Sequence, residues 1–337
     1  MTSDFILPPS TETSALGLMH LKRFWKKIML KRSGEFDEEH WKNEWQLDKT
    51  LLSVLGLGLE QTLQYVFQFA PAFEEFEQWI ANIAGIPTGE QVDKFNSMFN
   101  EMPDMGKPIP SVLSAEELAF WEENGYLILK NAVPREDCKA TVDMMCKFLN
   151  IKLDDTDTWY FDHTARQGIM VQLFQHPLLQ KNRQTARIRM AYEQLWKRTD
   201  LWVTTDRVGF NPPETETWKF PGPDLHWDCS LELPIPFNLQ GLLYLADTAP
   251  NQGAFTLVPG FHNRISAWLH SLPNGTNPRT ENLHMLGSLP IAAQAGDFII
   301  WHQALPHGSS PNTSSMPRFV QYINYQPADF TAQKKWM

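Results

Sequence analysis

The sequence predicts a mainly β domain of sandwich or barrel type with flanking helices, preceded by a helical N-terminal extension. Three observations carry this. After about residue 200 the chain breaks into short runs rich in β-branched and aromatic residues, separated by Pro, Gly and Asn clusters at fairly regular intervals. That is the pattern of an all-β sandwich or barrel rather than of a parallel sheet with crossover helices. Residues 1 to about 100 instead carry apolar residues at helical spacing with few strand signals. Between the two, "NEMPDMGKPIPSV" (100–112) holds three prolines and a glycine and reads as a linker. The expected division is 1–105, a helical extension, and 106–337, the β-containing domain.

Taken in order, "GLMHLKRFWKKIMLKRSG" (17–34) is a basic amphipathic segment with Leu18, Leu21, Trp25, Ile28 and Met29 near helical spacing. Such a segment can lie on a membrane surface, but its apolar side is expected to pack on its own chain. The helical style continues to about residue 86, interrupted by Gly56, Gly58 and Pro71. After the linker, "SAEE" (114–117) is a helix start: a serine cap with acids in the first turn. That helix runs into a short strand, "YLILK", and a second helix opens at the proline of "NAVPREDCKATVDMMCKFLN". The strand candidates that follow are "LWVTTDRVGFNPP", "LHWDCSLEL", "NLQGLLYLAD", "GAFTLVPGFH", "GDFIIWHQ" and "RFVQYINYQP".

Composition narrows the class. With 42% apolar and 20% charged residues the chain is ordinary globular protein. A formal charge of -10 argues against nucleic acid as a partner. The three cysteines, Cys138, Cys146 and Cys229, show no paired or metal-ligand spacing, which suits a reducing compartment. No secretory signal and no apolar run long enough to span a membrane is read, so a cytoplasmic location is expected. There is no G-x-S-x-G elbow, no H-E-x-x-H and no phosphate loop, and "GLGLEQ" (56–61) lacks the third glycine of a dinucleotide site.

The chemistry concentrates in "DLHWDCS" (224–230). In a strand, residues i and i+2 share a face, so His226 and Asp228 project together and Trp227 packs on the reverse side. An imidazole beside a carboxylate is either one buried hydrogen bond or two ligands of a metal. A third ligand is available from "GDFIIWHQALPHGSS", which carries His302 and His307 late in the β-region. Of the remaining seven histidines, His40 in "DEEHWKNE" reads as a residue of a solvated helix face. Two histidines and one carboxylate on one side of a metal leave the opposite positions open, the arrangement of non-haem Fe(II) oxygenases. Arg318, opening "RFVQYINY", adds a forked donor suited to the far carboxylate of a small dicarboxylic co-substrate.

From about 113 to 327 the chain resembles the phytanoyl-CoA dioxygenase-like family of Fe(II)/2-oxoglutarate-dependent oxygenases. The matching pieces are "LSAEELAFWEENGYLILKNAVP", the "HWD" pair, "NQGAFTLVPGFH" and "LPHGSSPNTSSMPR" with its histidine-to-arginine spacing. The resemblance implies a double-stranded β-helix (jelly-roll) core flanked by helices. It implies His226, Asp228 and His307 as ligands of Fe(II), Arg318 and Ser309 on the 5-carboxylate of 2-oxoglutarate, and Tyr244 lining the co-substrate cavity. Gln172 and Arg207 are the candidates for a further polar donor, and His302 for a supporting role. The implied reaction consumes O2 and 2-oxoglutarate, releases succinate and CO2, and hydroxylates an unactivated C–H bond of a small organic, lipid-like or natural-product substrate. With Asp228 present, oxygenation is expected, although desaturation and cyclisation use the same three ligands.

Two other classes stay open at this stage: a metal-dependent β-barrel enzyme without 2-oxoglutarate, and a non-catalytic binding protein on the same fold. For residues 1–105 the resemblance says nothing. A bundle packed on the β-domain, a homo-oligomer contact, a lid, and a docking surface for a carrier-bound substrate are the readings.

Overall fold

The computed structural model describes residues 7–35, 38–99, 108–333 and 335–337. Most of the Pro-rich junction (100–107) and the side chain of His40 lie outside the described residues. The chain forms two compact units. One comprises Met1–Pro108 together with Arg198–Thr205 and Gln326–Phe330, two short returns of chain from the part assigned above to 106–337. The other comprises Ile109–Lys197, Asp206–Tyr325 and Thr331–Met337. No helix among the described residues is long and apolar enough to cross a membrane.

The first unit holds α1 (Leu21–Ser33), α2 (Glu38–Leu55), α3 (Leu59–Phe69), α4 (Phe73–Ala84) and α5 (Gly89–Ser97). Gly56 breaks the chain between α2 and α3 in the left-handed region (φ 63). Residues Leu18, Leu21, Phe24 and Ile28, spaced for one helix face, are buried against Leu51, Leu55, Val66, Phe76 and Ile80. The apolar side of the basic segment 17–34 is thus covered by its own chain.

Beneath this core runs a buried polar network. His20 Nε2 lies 2.9 Å from Asp48 Oδ1, and Lys27 Nζ donates to both Asp48 oxygens at 2.7 Å and to Glu44 Oε2 at 2.8 Å. Arg23 Nε donates to Glu44 from the other side at 2.9 Å. Burial alone would raise the Glu44 carboxyl, but the hydrogen bonds from Arg23 and Lys27 outweigh it and bring the pKa down to about 2. A charge left alone in such a place is costly, so removing one partner destabilises by about 3–5 kcal/mol.

In the second unit α6 (Ala115–Asn124) starts at Ser114, whose hydroxyl accepts from Glu117 N while the Glu117 side chain returns to Ser114 N. Gly125 ends it, and β1 (Tyr126–Leu129) follows at once. Next comes α7 (Arg135–Leu149), opening behind Pro134 as expected. The order continues with β2 (Arg166–Gln167), β3 (Met170–Val171), α8 (Pro177–Arg183) and α9 (Ala186–Trp196). After β4 (Leu201–Val203), in the first unit, come β5 (Val208–Asn211), β6 (Leu239–Tyr244), β7 (Thr256–Leu257) and α10 (Ile265–Ser271). The remaining strands of the two larger sheets are β8 (Leu289–Pro290), β9 (Phe298–His302), β10 (His307–Gly308) and β11 (Arg318–Tyr322). Helices α8 to α10 were not singled out by sequence.

Seven strands form one sheet in the order β1-β9-β6-β11-β5-β3-β2, with antiparallel pairing between neighbours. A small sheet, β10-β7-β8, carries the other face. Trp227, Leu242, Phe255, Leu257, Ile299, Trp301 and Val320 belong to one buried cluster that joins elements of both. This is the expected jelly-roll core. Ile299 and Trp301 of β9, Leu242 and Tyr244 of β6, and Val320 of β11 with Tyr322 packed against it serve that cluster at the two-residue period of a strand.

Two strand expectations need correction. "LHWDCSLEL" is not a strand: its only ladder contact among the described residues is an isolated antiparallel bridge, His226↔His307. Pro223, Pro234 and Pro236 withhold backbone donors around it, and its partner β10 is two residues long. Within "GAFTLVPGFH" only Thr256–Leu257 pairs.

The buried network makes a pH prediction. Because the Glu44 carboxyl is depressed in the folded state, its contribution is complete above the ordinary carboxylate range and fades as pH falls toward about 2. Urea-unfolding midpoints measured at pH 7 and at about pH 3 are expected to differ less in Glu44→Gln than in the wild type. An equal acid-side loss in both would remove Glu44 from the account.

Candidate active site

The backbone bridge comes first. His226 N donates to His307 O at 2.9 Å and His307 N to His226 O at 3.0 Å. This reciprocal pair sets two histidines side by side, with ring centroids 5.0 Å apart. Each ring is then oriented by a carbonyl: His226 Nδ1 lies 2.7 Å from Asp224 O, and His307 Nδ1 lies 2.9 Å from Leu305 O. A carbonyl oxygen only accepts, so each Nδ1 carries the hydrogen, and each Nε2 presents its lone pair when the ring is neutral.

Asp228, two residues beyond His226, reaches both rings. Its Oδ1 is 3.3 Å from His226 Nε2 and its Oδ2 is 3.3 Å from His307 Nε2. One ligating atom from each of the three lies within 4.8 Å of the others. With neutral imidazoles, three lone-pair groups face one another with no hydrogen between them. The cluster is therefore satisfied only by a cation at its centre: a metal ion, or protons taken up by the rings. Burial would raise the Asp228 carboxyl, yet the two imidazoles more than offset this and hold it far below the carboxylate range. Burial lowers His226, but its hydrogen bond to Asp228 wins and the pKa is raised.

The cluster opens on a cavity of about 310 Å³ lined by His226, Asp228, His307, Ser309, Gln240, Phe255 and Trp301, with Asp206, Arg207 and Asn324 also on its wall. Behind Ser309 stands Arg318, the first residue of β11, paired with Asn211 of β5 and wholly buried. Its Nη2 donates to Ser309 Oγ at 3.0 Å. Its Nε and Nη1 have no hydrogen-bond partner among the described residues. A buried guanidinium without an anion is costly, and its fork suits a carboxylate.

Residues 121–320 match the family model described as phytanoyl-CoA dioxygenase (PhyH). This chain belongs to the phytanoyl-CoA dioxygenase family. The resemblance read from the "HWD" and "LPHGSSPNTSSMPR" segments is borne out, and with it the enzyme class, an iron- and 2-oxoglutarate-dependent dioxygenase. A Dictyostelium discoideum protein whose name places it, provisionally, with the phytanoyl-CoA dioxygenases is 26% identical over 260 residues, covering 62% of this chain and 74% of that one. The peroxisomal phytanoyl-CoA dioxygenase of Homo sapiens is 23% identical over 244 residues, 65% of this chain and 70% of that one. Among solved structures, EctD from S. alaskensis with bound Fe aligns with a TM-score of 0.47 at 17% identity, covering 66% of this chain and 80% of that one.

Within this family member, the structure brings His226, Asp228, His307 and Ser309 to one cavity, with Arg318 directly behind Ser309. Tyr244 is a correction. Its hydroxyl donates to Ile291 O and accepts from Phe255 N, both at 2.9 Å, and it is not among the residues lining the cavity. Burial pushes its phenol up to about 12, so it braces β6 against the small sheet as a neutral group. Of the two further candidates, Arg207 is on the cavity wall. Gln172 is not, and its Nε2 donates to Gln167 Oε1 at 2.9 Å. His302 accepts from Ala304 N, and burial followed by its neighbour His262 brings its pKa down to about 4, so it is a neutral structural ring. Trp227 packs on the reverse side as expected, its Nε1 donating to Ala304 O at 3.0 Å.

Gln240 was missed. Its Nε2 donates to Asp228 Oδ2 at 2.7 Å and its Oε1 accepts from Trp301 Nε1 at 3.1 Å, so it fixes the carboxylate's rotation. A lone amide in the apolar run "LQGLLYL" was the available signal.

The bridge can be tested at Gly308. A Cβ there would collide with the carbonyl of Asp224, the group that orients His226. Gly308→Ala is expected to part the bridge and lower divalent-metal affinity by at least about tenfold, read by equilibrium dialysis with Co(II). Unchanged affinity would show that the close approach does not position the ligands.

Proposed function

We propose that the protein uses Fe(II) and 2-oxoglutarate to hydroxylate an unactivated C–H bond of a small organic substrate, releasing succinate and CO2. One observation carries the reading: a wholly buried Arg318, whose Nε and Nη1 lack partners among the described residues, is bonded to Ser309, which lines the same cavity as the three-residue cluster. A bare metal site has no use for that charge, whereas a dicarboxylic co-substrate bound to the metal does. For this reason an oxygenase that does without 2-oxoglutarate is the weaker reading.

The residues fit the implied groups. His226, Asp228 and His307 supply two nitrogens and one oxygen to Fe(II), leaving the remaining positions open. Arg318 and Ser309 receive the 5-carboxylate as a charge-assisted pair. When bound, the metal and 2-oxoglutarate supply the oxidising chemistry. The chain's own part is orientation and exclusion. Nδ1–H bonds to Asp224 O and Leu305 O keep both rings aimed, and Gln240 occupies the second oxygen of Asp228. Phe255 and Trp301, their rings 4.3 Å apart, give the cavity a dry wall. The three cysteines are free, in keeping with a reducing, cytoplasmic setting.

Purified protein given Fe(II) and 2-oxoglutarate anaerobically and then exposed to O2 is expected to form succinate slowly, and Asp228→Ala is expected to form none. Succinate at the same rate in both proteins would dissociate turnover from this site. Separately, Arg318→Gln is expected to raise the KM for 2-oxoglutarate by about 10- to 100-fold, the worth of a hydrogen-bonded charge. Its affinity for Co(II) should stay near the wild-type value. A KM that does not move would favour the reading without 2-oxoglutarate.

A further inference from the structure

The cavity has a second polar pole that the reaction above does not use. Asp206 lies two residues before β5, and Asn324 two residues beyond β11, the strand paired with β5. Both line the cavity. Asn324 Nδ2 donates to Asp206 Oδ2 at 3.2 Å, and Arg207 N donates to Asp206 Oδ1 at 3.1 Å. Asn324 is itself anchored, its Oδ1 accepting from Gly241 N at 2.8 Å in β6. Gln240, next to Gly241, holds Asp228. A single hydrogen-bonded ridge across β6, β11 and β5 therefore links the metal-ligand carboxylate to Asp206. Each Asp206 oxygen can accept two hydrogen bonds, so the carboxylate keeps acceptor capacity on the cavity wall.

We propose that Asp206, held by Asn324, is the recognition point for the primary substrate, and that this substrate is a compact molecule offering a hydroxyl group to it. The inference rests on the oxygenase reading for the purpose of the cavity, though not for what fits it. Charge selects the hydroxyl over an ammonium. Arg183 donates to Asp206 O at 2.7 Å and Arg207 is the next residue, so the surroundings of Asp206 already hold two positive charges against its one negative charge. A cationic group would meet no net attraction there, whereas a neutral donor needs only the lone pairs. Size and lining select a compact molecule. The cavity of about 310 Å³ must also take the co-substrate, and ligand pockets run from roughly 300 to 1,000 Å³. Phe255, Trp301 and Met170 supply apolar contact for the substrate's carbon skeleton. Burial raises the Asp206 carboxyl above its usual value despite the hydrogen bond from Arg207 N.

The test measures binding without turnover. Full-length protein with Fe(II) and 2-oxoglutarate under nitrogen is titrated with cis-1,3-cyclohexanediol, cyclohexylamine and cyclohexanecarboxylate, followed by saturation-transfer NMR. These probes share a ring and differ in the group offered. The diol is expected to bind about tenfold or more tightly than the other two, and Asp206→Leu to remove that preference. Asp206→Asn keeps the volume and half of the acceptors, so it should show an intermediate loss and covers the case in which the leucine variant does not fold. Tighter binding of the amine or the carboxylate overturns the proposal, as does a diol affinity indifferent to both variants. Failure of the oxygenase reading would appear elsewhere, as absent succinate formation, and leaves these affinities readable.

Discussion

The site depends on one pair of backbone hydrogen bonds, those exchanged by His226 and His307. Asp228 and His307 are 79 residues apart in sequence, and the closure of so long a loop gains nothing until a contact holds it. The bridge provides that contact at the candidate metal site itself. It also removes freedom from the side chains. Once the two backbones are paired, Asp224 O and Leu305 O fall within reach of the two Nδ1 atoms, and the lone pairs of Nε2 turn toward Asp228. Preorganisation of this sort is what a weakly held divalent metal requires.

Two clusters of metal-capable side chains occur among the described residues, and they contrast usefully. His20, Glu44 and Asp48 converge as closely as His226, Asp228 and His307 do. In the helical unit Lys27 supplies the cation, its ammonium donating to both Asp48 and Glu44. The charge is balanced by the chain, and the cluster fastens α1 to α2. In the jelly-roll unit no lysine or arginine among the described residues enters the cluster, and Gln240 adds only a neutral amide. The same residue types thus become structure in one place and a candidate active site in the other, according to whether the fold brings its own cation.

Arg318 shows the complementary imbalance. The fold buries a guanidinium and, among the described residues, gives it one side-chain hydrogen-bond partner, the neutral Ser309. Such an arrangement reduces stability in the isolated chain, the ordinary compromise between stability and function at a site, and suits the anion proposed above. That the arginine opens β11 beside Asn211, rather than standing in a loop, keeps the guanidinium from swinging out to water.

Much of this was legible in the sequence because it is local or carried by spacing. The Ser114 cap, the Pro134 helix start, the apolar face of residues 17–34 and the pairing of His226 with Asp228 each follow from a few neighbouring residues and fixed periodicities. The forked donor of Arg318 was read from its own chemistry, and the family resemblance extended the reading to Ser309 and to His307 as the third ligand. What was misread had a common cause. "LHWDCSLEL" has strand composition, but whether it pairs depends on which backbone lies beside it, and only a two-residue strand does. Tyr244 has the composition of a cavity residue, but its hydroxyl is claimed by Ile291 O and Phe255 N, partners that sequence does not bring near. Gln240, Asp206 and Asn324 reach one wall from three strand neighbourhoods far apart in the chain. Sequence by itself determined the residue types, the helical character of the first unit, the starts of α6 and α7 and the candidate ligand chemistry, since those rest on local propensity and on what a side chain can donate or accept. Tertiary structure alone decided which lone pairs face a cavity and which are already satisfied, because that depends on long-range pairing and on where the neighbouring charges fall.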